Sequence, residues 1–464
     1  MSQLYNKCMA KKHISKEIAD FIVNAKINQQ TRKIAKRYLI DWIASVIAGS
    51  KTKPIQAIEK TLSELGGKGQ STILFSNKTT SITHAAFINA AAAHVIEMDD
   101  LDRGSISHPG SSIIASSLAI AEYQKKNMND LLDAIIIGYE IMIRIGEALG
   151  TEHYKFWHTT GTAGTIGVAA AISRISKFNK EQTLMAIGSA GTMTAGLWEF
   201  LNDGAMSKQL HPAKAAHDGI LACLLAKNNF SSATKIIEGK KGIFAAMAPK
   251  AKPIKIIKNL SLTQKKWKIE NVSFKMYASC RHTHPAVEGA LQLKSAHSIN
   301  YDQIKSIKIE IYSQALELLS DVPANTPYAA KFNLPFCIAS ALIYGNLDPE
   351  RFTEKTIKDK KIIGLAQKIA FTTNHTLDKY YPKKWPSNVT INMEDNTSMK
   401  KKILYPFGDP ENAVTNSELK NKFISLTNNS LKEKDADIFA HSFLMKTSDI
   451  TPKKMINQIK KIRI

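Results

Sequence analysis

The chain has 464 residues, of which 63 are lysine or arginine and 40 are aspartate or glutamate, so its formal net charge is +23 at pH 7. The hydrophobic content of 44% is ordinary for a globular protein, and the length is sufficient for two or three domains with a large core. No apolar run reaches membrane-spanning length, which argues against a transmembrane protein and predicts no membrane partner.

The excess of lysine raises the question of a nucleic-acid partner. Nucleic-acid binders usually concentrate basic residues on one face, whereas the lysines here are scattered along the chain. We interpret the charge as a solvated, lysine-rich surface and predict no nucleic-acid partner, although a positive field would help attract anionic small molecules. A non-catalytic basic binding protein is the alternative, and it predicts salt-sensitive binding to DNA or RNA.

Cysteine usage and the first residues bear on the compartment. Cys8, Cys223, Cys280 and Cys337 are far apart and form no CxxC pair, which argues against an iron–sulfur cluster or a zinc ribbon and fits a reducing compartment. The opening residues MSQLYNKCMAKK lack the apolar stretch of a secretory signal. Together these features predict a cytoplasmic protein.

From Ser15 to about residue 265, most segments have helical periodicity. The first, SKEIADFIV, begins at Ser15, which we expect to be its N-cap, and the next, TRKIAKRYLIDWIASVIAG, ends at Gly49. Further on, KSIKIEIYS predicts a strand, and NVTINMEDNTSMKKKILYP predicts a hairpin that turns at Asp395-Asn396. After residue 410 the pattern is helical again, through Leu444.

This order of segments predicts a mainly α fold. We expect a large all-helical domain that begins with residues 1–267, and a smaller α/β (α+β) lid domain over 268–405, inserted before the C-terminal helices. Residues 406–464 then return to the helical domain. A cleft between two such domains is a common place for a small-molecule site.

Four histidines stand at the start of helices rich in small residues, namely His108, His158, His211 and His284. Helix N-termini carry unpaired N–H groups and a partial positive charge, so converging starts would bind a polycarboxylate and keep the imidazoles neutral. A single His-Pro of this kind is ordinarily only a helix boundary. Lys208 precedes His211 and offers a cation for a substrate carboxylate, unless it is one exposed lysine among many.

A metal site is the other interpretation of these residues. The acidic run in MDDLDRGSISHPG (98–110) offers oxygen ligands, and His282-x-His284 offers two nitrogens. A pair spaced in this way, without a second acidic or histidine motif nearby, is a weak metal signal. We therefore predict no metal.

Five segments, taken in order, resemble the MmgE/PrpD family, which includes 2-methylcitrate dehydratases, cis-aconitate decarboxylases and an iminodisuccinate epimerase. The segments are AAAAHVIEMDDLDRGSISHPGSSIIASSLAIAE, FWHTTGTAGTIGVAAA, GLWEFLNDGAMSKQLHPAKAAHDG, ASCRHTHPAVEGAL and KFNLPFCIASAL. The resemblance extends over most of the chain. It implies a helical domain with a smaller lid domain, usually in a homodimer, and an enzyme that uses no metal or other cofactor.

The resemblance also implies where the site lies. Family decarboxylases have active-site residues at positions that match His108, His158, Lys208 and His284, and all four residue types are retained. His211 is then a structural or supporting residue. Residues that bind substrate or support the site are expected at Glu97, Asp99, Asp100, Leu101, His211, Arg281 and Phe336.

Three positions depart from the decarboxylase pattern. Glu97 stands in place of an aspartate, Leu101 in place of a threonine and Phe336 in place of a tyrosine. The Trp-Gly-His-Pro variant of the dehydratases is also absent, since His108 follows Ile106-Ser107. These departures indicate a substrate different from that of either named activity, with lost activity as the alternative.

The resulting prediction is a cofactor-independent acid–base lyase, either a hydro-lyase or a decarboxylase, that acts on a small di- or tricarboxylate of the citrate/aconitate type. His108 or His158 would move a proton at the carbon α to a carboxylate, and Lys208 would stabilise the enolate-like charge. His284 would protonate the leaving hydroxyl or the product carbon, and Glu97 would orient an imidazole. Asp99 and Asp100 would cap or pair locally. An epimerase of a small dicarboxylate such as an imino acid is the alternative, because it would use the same site without elimination.

Overall fold

The computed structural model describes residues 13–319, 322–445 and 450–464. The opening residues MSQLYNKCMAKK, for which no secretory signal is predicted and which include Cys8, lie outside the described residues. Helices dominate the element order, which confirms the prediction of a mainly α fold. Within the described ranges, no helix has both the length and the apolar character needed to cross a membrane.

The first part of the chain is helical except for a short antiparallel hairpin of β1 (Ser71–Thr72) and β2 (Thr79–Thr80), which the sequence did not predict. The helices are α1 (Ile14–Asn24), α2 (Gln29–Gly49), α3 (Lys53–Glu64), α4 (Ile82–Val95), α5 (Pro109–Tyr123), α6 (Met128–Tyr154), α7 (Thr159–Ile175), α8 (Lys180–Thr192), α9 (Phe200–Asp203), α10 (Leu210–Lys227) and α11 (Ile243–Met247). The bundle formed by α4 to α8 and α10 holds most of the buried small residues.

The predicted N-cap of α1 is wrong by two residues. The helix begins at Ile14 with His13 at the N-cap, and the Ser15 hydroxyl instead donates to Oε2 of Glu238 at 2.6 Å. A distant carboxylate therefore outcompetes the local capping role expected of this serine. The end of α2 at Gly49 is as predicted.

Small residues let α6 and α7 approach closely. A Cβ atom added to Gly138 of α6 would lie 3.0 Å from Cβ of Ala171 and 3.1 Å from the backbone oxygen of Gly167, both on α7. Side chains larger than hydrogen at this crossing would force the helices apart. The close approach holds the N-terminal ends of neighbouring helices in fixed positions. Two of these helices, α5 and α7, begin directly after His108 and His158.

Residues 268–405, the range predicted as the lid and called the lid below, contain a four-stranded sheet with the order β4-β3-β5-β6, in which β3 is parallel to β4 and antiparallel to β5. The predicted strand and the predicted hairpin turn are present, with Asn396 in a left-handed conformation (φ 66°) at the turn, whereas β4 was not predicted. The elements are α12 (His284–His297), β3 (Ile304–Ile311), α13 (Ser313–Leu319), α14 (Leu334–Tyr344), α15 (Lys360–Ala366), β4 (Ile369–Thr373), β5 (Ser387–Met393) and β6 (Ser398–Ile403).

The chain ends with α16 (Asn416–Thr427), α17 (Glu433–Met445) and α18 (Pro452–Lys461). Helix α16 packs against α2 of the first part. A buried ion pair joins them, with Nζ of Lys422 2.6 Å from Oδ1 of Asp41, and Lys422 also donates to the backbone oxygen of Met98. The C-terminal helices therefore contact the loop that leads to the site.

Candidate active site

The loop between α4 and α5 contains the acidic residues and carries His108 to the N-cap of α5. Its first turn places Glu97 in the left-handed region (φ 58°), a conformation that costs a non-glycine residue about 1–2 kcal/mol. Leu101 exchanges two backbone hydrogen bonds with Ser273, at 3.0 and 2.8 Å, and so ties this loop to the chain that enters the lid. The acidic segment therefore ends one helix and fixes the loop that presents His108.

Four histidines lie together in the interior, at the ends of three helices and on α4. His108 and His158 are the N-caps of α5 and α7, and His211 is the second residue of α10. The ring centroid of His94, near the end of α4, is 4.7 Å from that of His108 and 5.8 Å from that of His158. Three of the four helix starts singled out in the sequence thus converge, while His284 belongs to the lid.

Hydrogen bonds fix the protons on two of these rings. Nδ1 of His108 lies 2.8 Å from the backbone oxygen of Asp100, which can only accept, so His108 carries its proton at Nδ1 and a lone pair at Nε2. Nδ1 of His94 lies 2.7 Å from Oδ2 of Asp99, which orients that ring in the same way. His158 and His211 share one proton between their Nδ1 atoms, which are 2.9 Å apart.

The imidazoles of His108, His158 and His211 are neutral at pH 7. Burial lowers the pKa of His108 to about 4 in spite of the neighbouring Asp99 carboxylate. Burial, and after it the neighbouring His94 and Lys208, lowers the pKa of His211 to about 3. The pKa of His158 is held well below its usual value by burial and then by His211 and Lys208. The neutral state is the one expected from the sequence, but burial rather than the helix dipole is its main cause.

A second cluster, formed by Glu97, Lys208, Lys275 and Tyr328, adjoins the histidines. Nζ of Lys208 contacts Oε1 of Glu97, Nζ of Lys275 donates to Oε2 at 2.9 Å, and the Tyr328 hydroxyl donates to Oε1 at 3.2 Å. Burial opposes ionisation of Glu97, but the two ammonium groups outweigh it and hold the pKa of Glu97 well below its usual range. The cluster thus has two cations and one anion.

This lysine–glutamate cluster includes residues from both parts of the molecule. Lys208 lies in the turn before α10 and is 2% exposed, so it is not one of the solvated surface lysines. Lys275 and Tyr328, which come from the lid side, were not predicted from the sequence. Lys275 stands only three residues before the segment ASCRHTHPAVEGAL that marked this region, and that proximity was the available signal.

His284 and Arg281 lie where the chain enters α12. Nε2 of His284 is 3.2 Å from the backbone oxygen of Ser279 and must donate to it, while its Nδ1 is buried with no partner in the described part of the protein. His284 therefore presents a lone pair, which suits a proton acceptor rather than the donor role predicted from the sequence. Arg281 binds Asp409 through one nitrogen, and its Nε and Nη1 are buried without a described partner.

Asp100 and Phe336 have local roles. Oδ1 of Asp100 accepts from the backbone N–H of Gly110 at 2.9 Å, and burial, together with the neighbouring Asp99, raises the pKa of Asp100 to about 8, so its side chain is protonated at pH 7. The Phe336 ring packs inside the lid, 5.7 Å from the ring of Phe352. The structure thus places Phe336 in the lid core.

His94, Asp99 and His108 are also the residues best placed to hold a metal ion, since one ligand atom from each lies within 4.8 Å of the others. The Nδ1 atom of His108 cannot be a ligand while it donates to the Asp100 carbonyl, and Nδ1 of His94 is engaged by Asp99. Nε2 of His94 and Oδ1 of Asp99 are buried without a partner in the described part of the protein, so the hydrogen bonds at the two Nδ1 atoms orient the imidazoles without using every possible ligand atom.

Comparison with known proteins gives the family. Residues 16–254 match the MmgE/PrpD N-terminal domain and residues 277–444 match the MmgE/PrpD C-terminal domain. A cis-aconitate decarboxylase-like protein, oryM, from Aspergillus oryzae is 23% identical over 447 residues, which cover 89% of this chain and 90% of the relative. The cis-aconitate decarboxylases of Aspergillus terreus and Homo sapiens are each 22% identical, over 90% and 89% of this chain and 90% and 88% of their own. The chain therefore belongs to the MmgE/PrpD family.

Proposed function

We propose that the protein is a lyase, independent of metals and other cofactors, that removes water or CO₂ from a small di- or tricarboxylate of the citrate/aconitate type. The observation that carries this proposal is the buried juxtaposition of neutral imidazoles with a lysine–glutamate cluster of net positive charge. The relatives named as cis-aconitate decarboxylases support the same class of substrate.

The lysine–glutamate cluster supplies the carboxylate-binding part of the site. Lys208, Lys275 and Glu97 carry one unbalanced positive charge in the interior, where an uncompensated charge is costly. A substrate carboxylate would neutralise it through charge-assisted hydrogen bonds. The two free nitrogens of Arg281 offer a place for a further carboxylate of the same substrate.

His108 supplies the base. Its Nε2 lone pair removes the proton from the carbon α to the bound carboxylate, and the electrons of the C–H bond form the new double bond as the hydroxyl leaves. The His108 imidazolium passes the proton to His158, whose ring centroid is 6.2 Å away, and His158 gives it to the departing hydroxyl, so water is lost and both rings are neutral again. The ammonium of Lys208 stabilises the enolate-like charge, and a positioned acid–base group contributes ~10²–10⁴-fold to such a step.

The same arrangement serves the related reactions. In a decarboxylation, the C–CO₂ bond breaks, its electron pair stays on the carbon beside the remaining carboxylate, and a lysine ammonium delivers a proton to that carbon. In an epimerisation, His108 removes the proton and a second histidine such as His158 returns one on the other face. We place the lyase first because the curated relatives that match most of the chain carry decarboxylase names.

The test is a panel of acids followed by proton NMR with the purified full chain. Citrate, 2-methylcitrate, cis-aconitate, the tartrates, malate and an imino acid derived from aspartate would each be incubated at neutral pH. An unsaturated product formed with loss of water or CO₂ supports the lyase. Inversion at one carbon without any loss would replace it by the epimerase, and turnover of none of the acids would contradict both.

Chelation is expected to leave turnover unchanged, because the proposed step uses the Nε2 lone pair of His108 as a base and the Nδ1 atoms of His94 and His108 are engaged by hydrogen bonds. The measurement is the rate with the best acid of the panel after dialysis against EDTA, alongside the metal content of the same sample. Loss of activity that one divalent cation restores would place a metal at these three residues instead.

We also propose a cytoplasmic homodimer whose small-molecule partner is the polycarboxylate, with neither nucleic acid nor membrane as a partner. The resemblance to the family supports the dimer. The basic surface offers less to nucleic acid than the net charge implies, since Lys208, Lys275 and Lys422 are buried in ion pairs. Sedimentation equilibrium measures the oligomeric state. Binding to DNA at low and high salt tests whether nucleic acid is a partner.

A further inference from the structure

A cleft of about 900 Å³ opens between the helical part and the lid. One wall is formed by residues 48–54 between α2 and α3 and by the end of α4, and the opposite wall by residues 326–331 and 346–354 of the lid. Residues 425–430, at the end of α16, close one side. All three parts of the chain that the fold brings together therefore contribute to one opening.

The floor of the cleft adjoins the lysine–glutamate cluster. Ile96, Tyr328 and Lys331 all line it, and Ile96 is the chain neighbour of Glu97. The Tyr328 hydroxyl donates to Oε1 of Glu97 at 3.2 Å. A single side chain thus reaches from the cleft to the carboxylate that holds Lys208.

The candidate site needs such an opening. Glu97 is 1% exposed, Lys275 and His284 have no exposed surface, and the four histidines of the interior are buried as well. A small molecule needs a gap in the packing to reach these side chains, and this cleft lies between the two parts of the molecule that supply them. The cleft ends at residues in direct contact with them.

Lys331 gives the cleft floor a cation. Its Nζ donates to the backbone oxygens of Ile96 and Ala278, at 3.1 and 2.9 Å, and lies 4.1 Å from the centre of the Phe352 ring. No carboxylate lies within ion-pairing distance of Nζ in the described part of the protein, and burial lowers the pKa of Lys331 to about 7. Both hydrogen-bond acceptors of Lys331 are neutral backbone oxygens, so an anion in the cleft would stabilise its ammonium form.

We propose that this cleft is the entrance through which a carboxylate-bearing small molecule reaches the buried cluster, with Lys331 as the cation on its floor and Tyr328 between that floor and Glu97. Lys51, Lys53 and Arg351 also line the cleft and are more exposed than Lys331. The class of ligand rests on the proposed function. The place of the entrance rests on the contacts of Ile96, Tyr328 and Lys331 alone. The anion would pass from the Lys331 ammonium to the Lys208–Lys275 pair when the tyrosine side chain moves.

A reversible block of the cleft tests the entrance. Thr353 is exposed on the lining of the cleft, and a Thr353→Cys variant can be modified with a bulky aromatic or with a methyl methanethiosulfonate. Burial raises the pKa values of the native thiols of Cys223, Cys280 and Cys337, which keeps them unreactive. The native chain, treated with the same reagents, is the control for any modification of Cys8.

The bulky adduct is expected to lower kcat/KM about tenfold or more by slowing association, while the methyl adduct leaves it unchanged and reduction restores it. Ser398→Cys, exposed on β6 away from the cleft lining, is the matched control and should be insensitive to both reagents. The probe is the panel acid with the highest turnover, or cis-aconitate if none turns over. Calorimetric binding of the same acid is measured in parallel.

Lys331→Met tests the cation and should raise KM or Kd for the acid about tenfold, with a smaller change in kcat. Lys379→Met, which replaces an exposed lysine of the lid, is the control, and thermal melting verifies that both variants fold.

Full activity of the blocked Thr353→Cys protein would overturn the proposed entrance and leave the proposed lyase function standing. Binding that the block abolishes, without turnover in the native protein, would support the entrance and reject the lyase. A native protein that neither binds nor converts any acid would overturn both.

Discussion

Replacing His158 by alanine is expected to lower kcat ~10²–10⁴-fold, the usual contribution of one positioned acid–base group. His158 is 1% exposed and stands at the start of α7, in contact with His211 on one side and with the Trp198 ring, 4.7 Å away, on the other. Its neutral ring is placed beside His108, where it can receive or return a proton. The measurement is steady-state turnover of the best acid of the panel by native and variant proteins.

The control for this substitution is His217→Ala on α10, the helix that also carries His211. His217 is partly exposed and pairs with Asp218, its neighbour in the chain, so its loss should not change turnover. Circular dichroism of both variants verifies the helical fold. A His158→Ala protein that keeps near-native kcat would remove His158 from the proposed chemistry, even if the family assignment stands.

Glu97→Gln is expected to lower the free energy of unfolding by about 3–5 kcal/mol, the usual cost of removing one partner from a buried ion pair. The glutamine would leave Lys208 and Lys275 facing each other in the interior without a counter-charge. Urea denaturation followed by circular dichroism measures the change. Turnover should fall as well, because the two ammonium groups lose the carboxylate that positions them.

The matched substitution is Glu411→Gln, which removes one carboxylate from Arg103. Glu411 is 40% exposed and Arg103 keeps Asp409, so the expected cost is below about 1 kcal/mol. Equal losses for the two variants would mean that Glu97 is not acting as the buried counter-charge described above.

The Glu97 carboxylate also makes the free energy of unfolding depend on pH in a defined direction. Its folded-state pKa is depressed by Lys208 and Lys275 against the opposing effect of burial, so its contribution is fully present above the ordinary glutamate value of about 4.5. The contribution is lost as the pH falls below that value toward the lower folded-state pKa. Unfolding of the native protein between pH 6 and pH 3 should therefore show a steeper loss of stability than unfolding of Glu97→Gln, in which this group no longer titrates.

The sequence was sufficient for the part of the site that depends on local pattern. His108, His158 and His211 stand at helix starts, and Lys208 precedes one of them, so their neighbourhood could be inferred from caps, small residues and family segments. The structure places these four side chains around one interior volume, while their roles stay predictions. His284 was placed correctly at a helix start, but its proton position could not be inferred, because its partner is a backbone oxygen.

The residues that the sequence did not predict all depend on distant partners. Lys275 contacts Glu97 across 178 positions of sequence and Tyr328 contacts it across 231. His94 lies inside a helix of small residues, where a histidine ordinarily has no function, and only the fold reveals its bond to Asp99. Strand β4 was missed because it is short and only alternate positions are partly buried, so its parallel partner rather than its own pattern defines it.

The most direct test of the central claim is proton NMR in D₂O, with the panel acids incubated separately with native protein and with His158→Ala. The account predicts that the native protein forms an unsaturated product with loss of water, or loses CO₂ and takes up deuterium at the carbon that held it, and that the variant does so far more slowly. Deuterium incorporation without loss of water or CO₂ would assign the site to an epimerase. If native protein and variant react at the same rate, or if neither reacts with any acid, the acid–base role of this histidine cluster is contradicted.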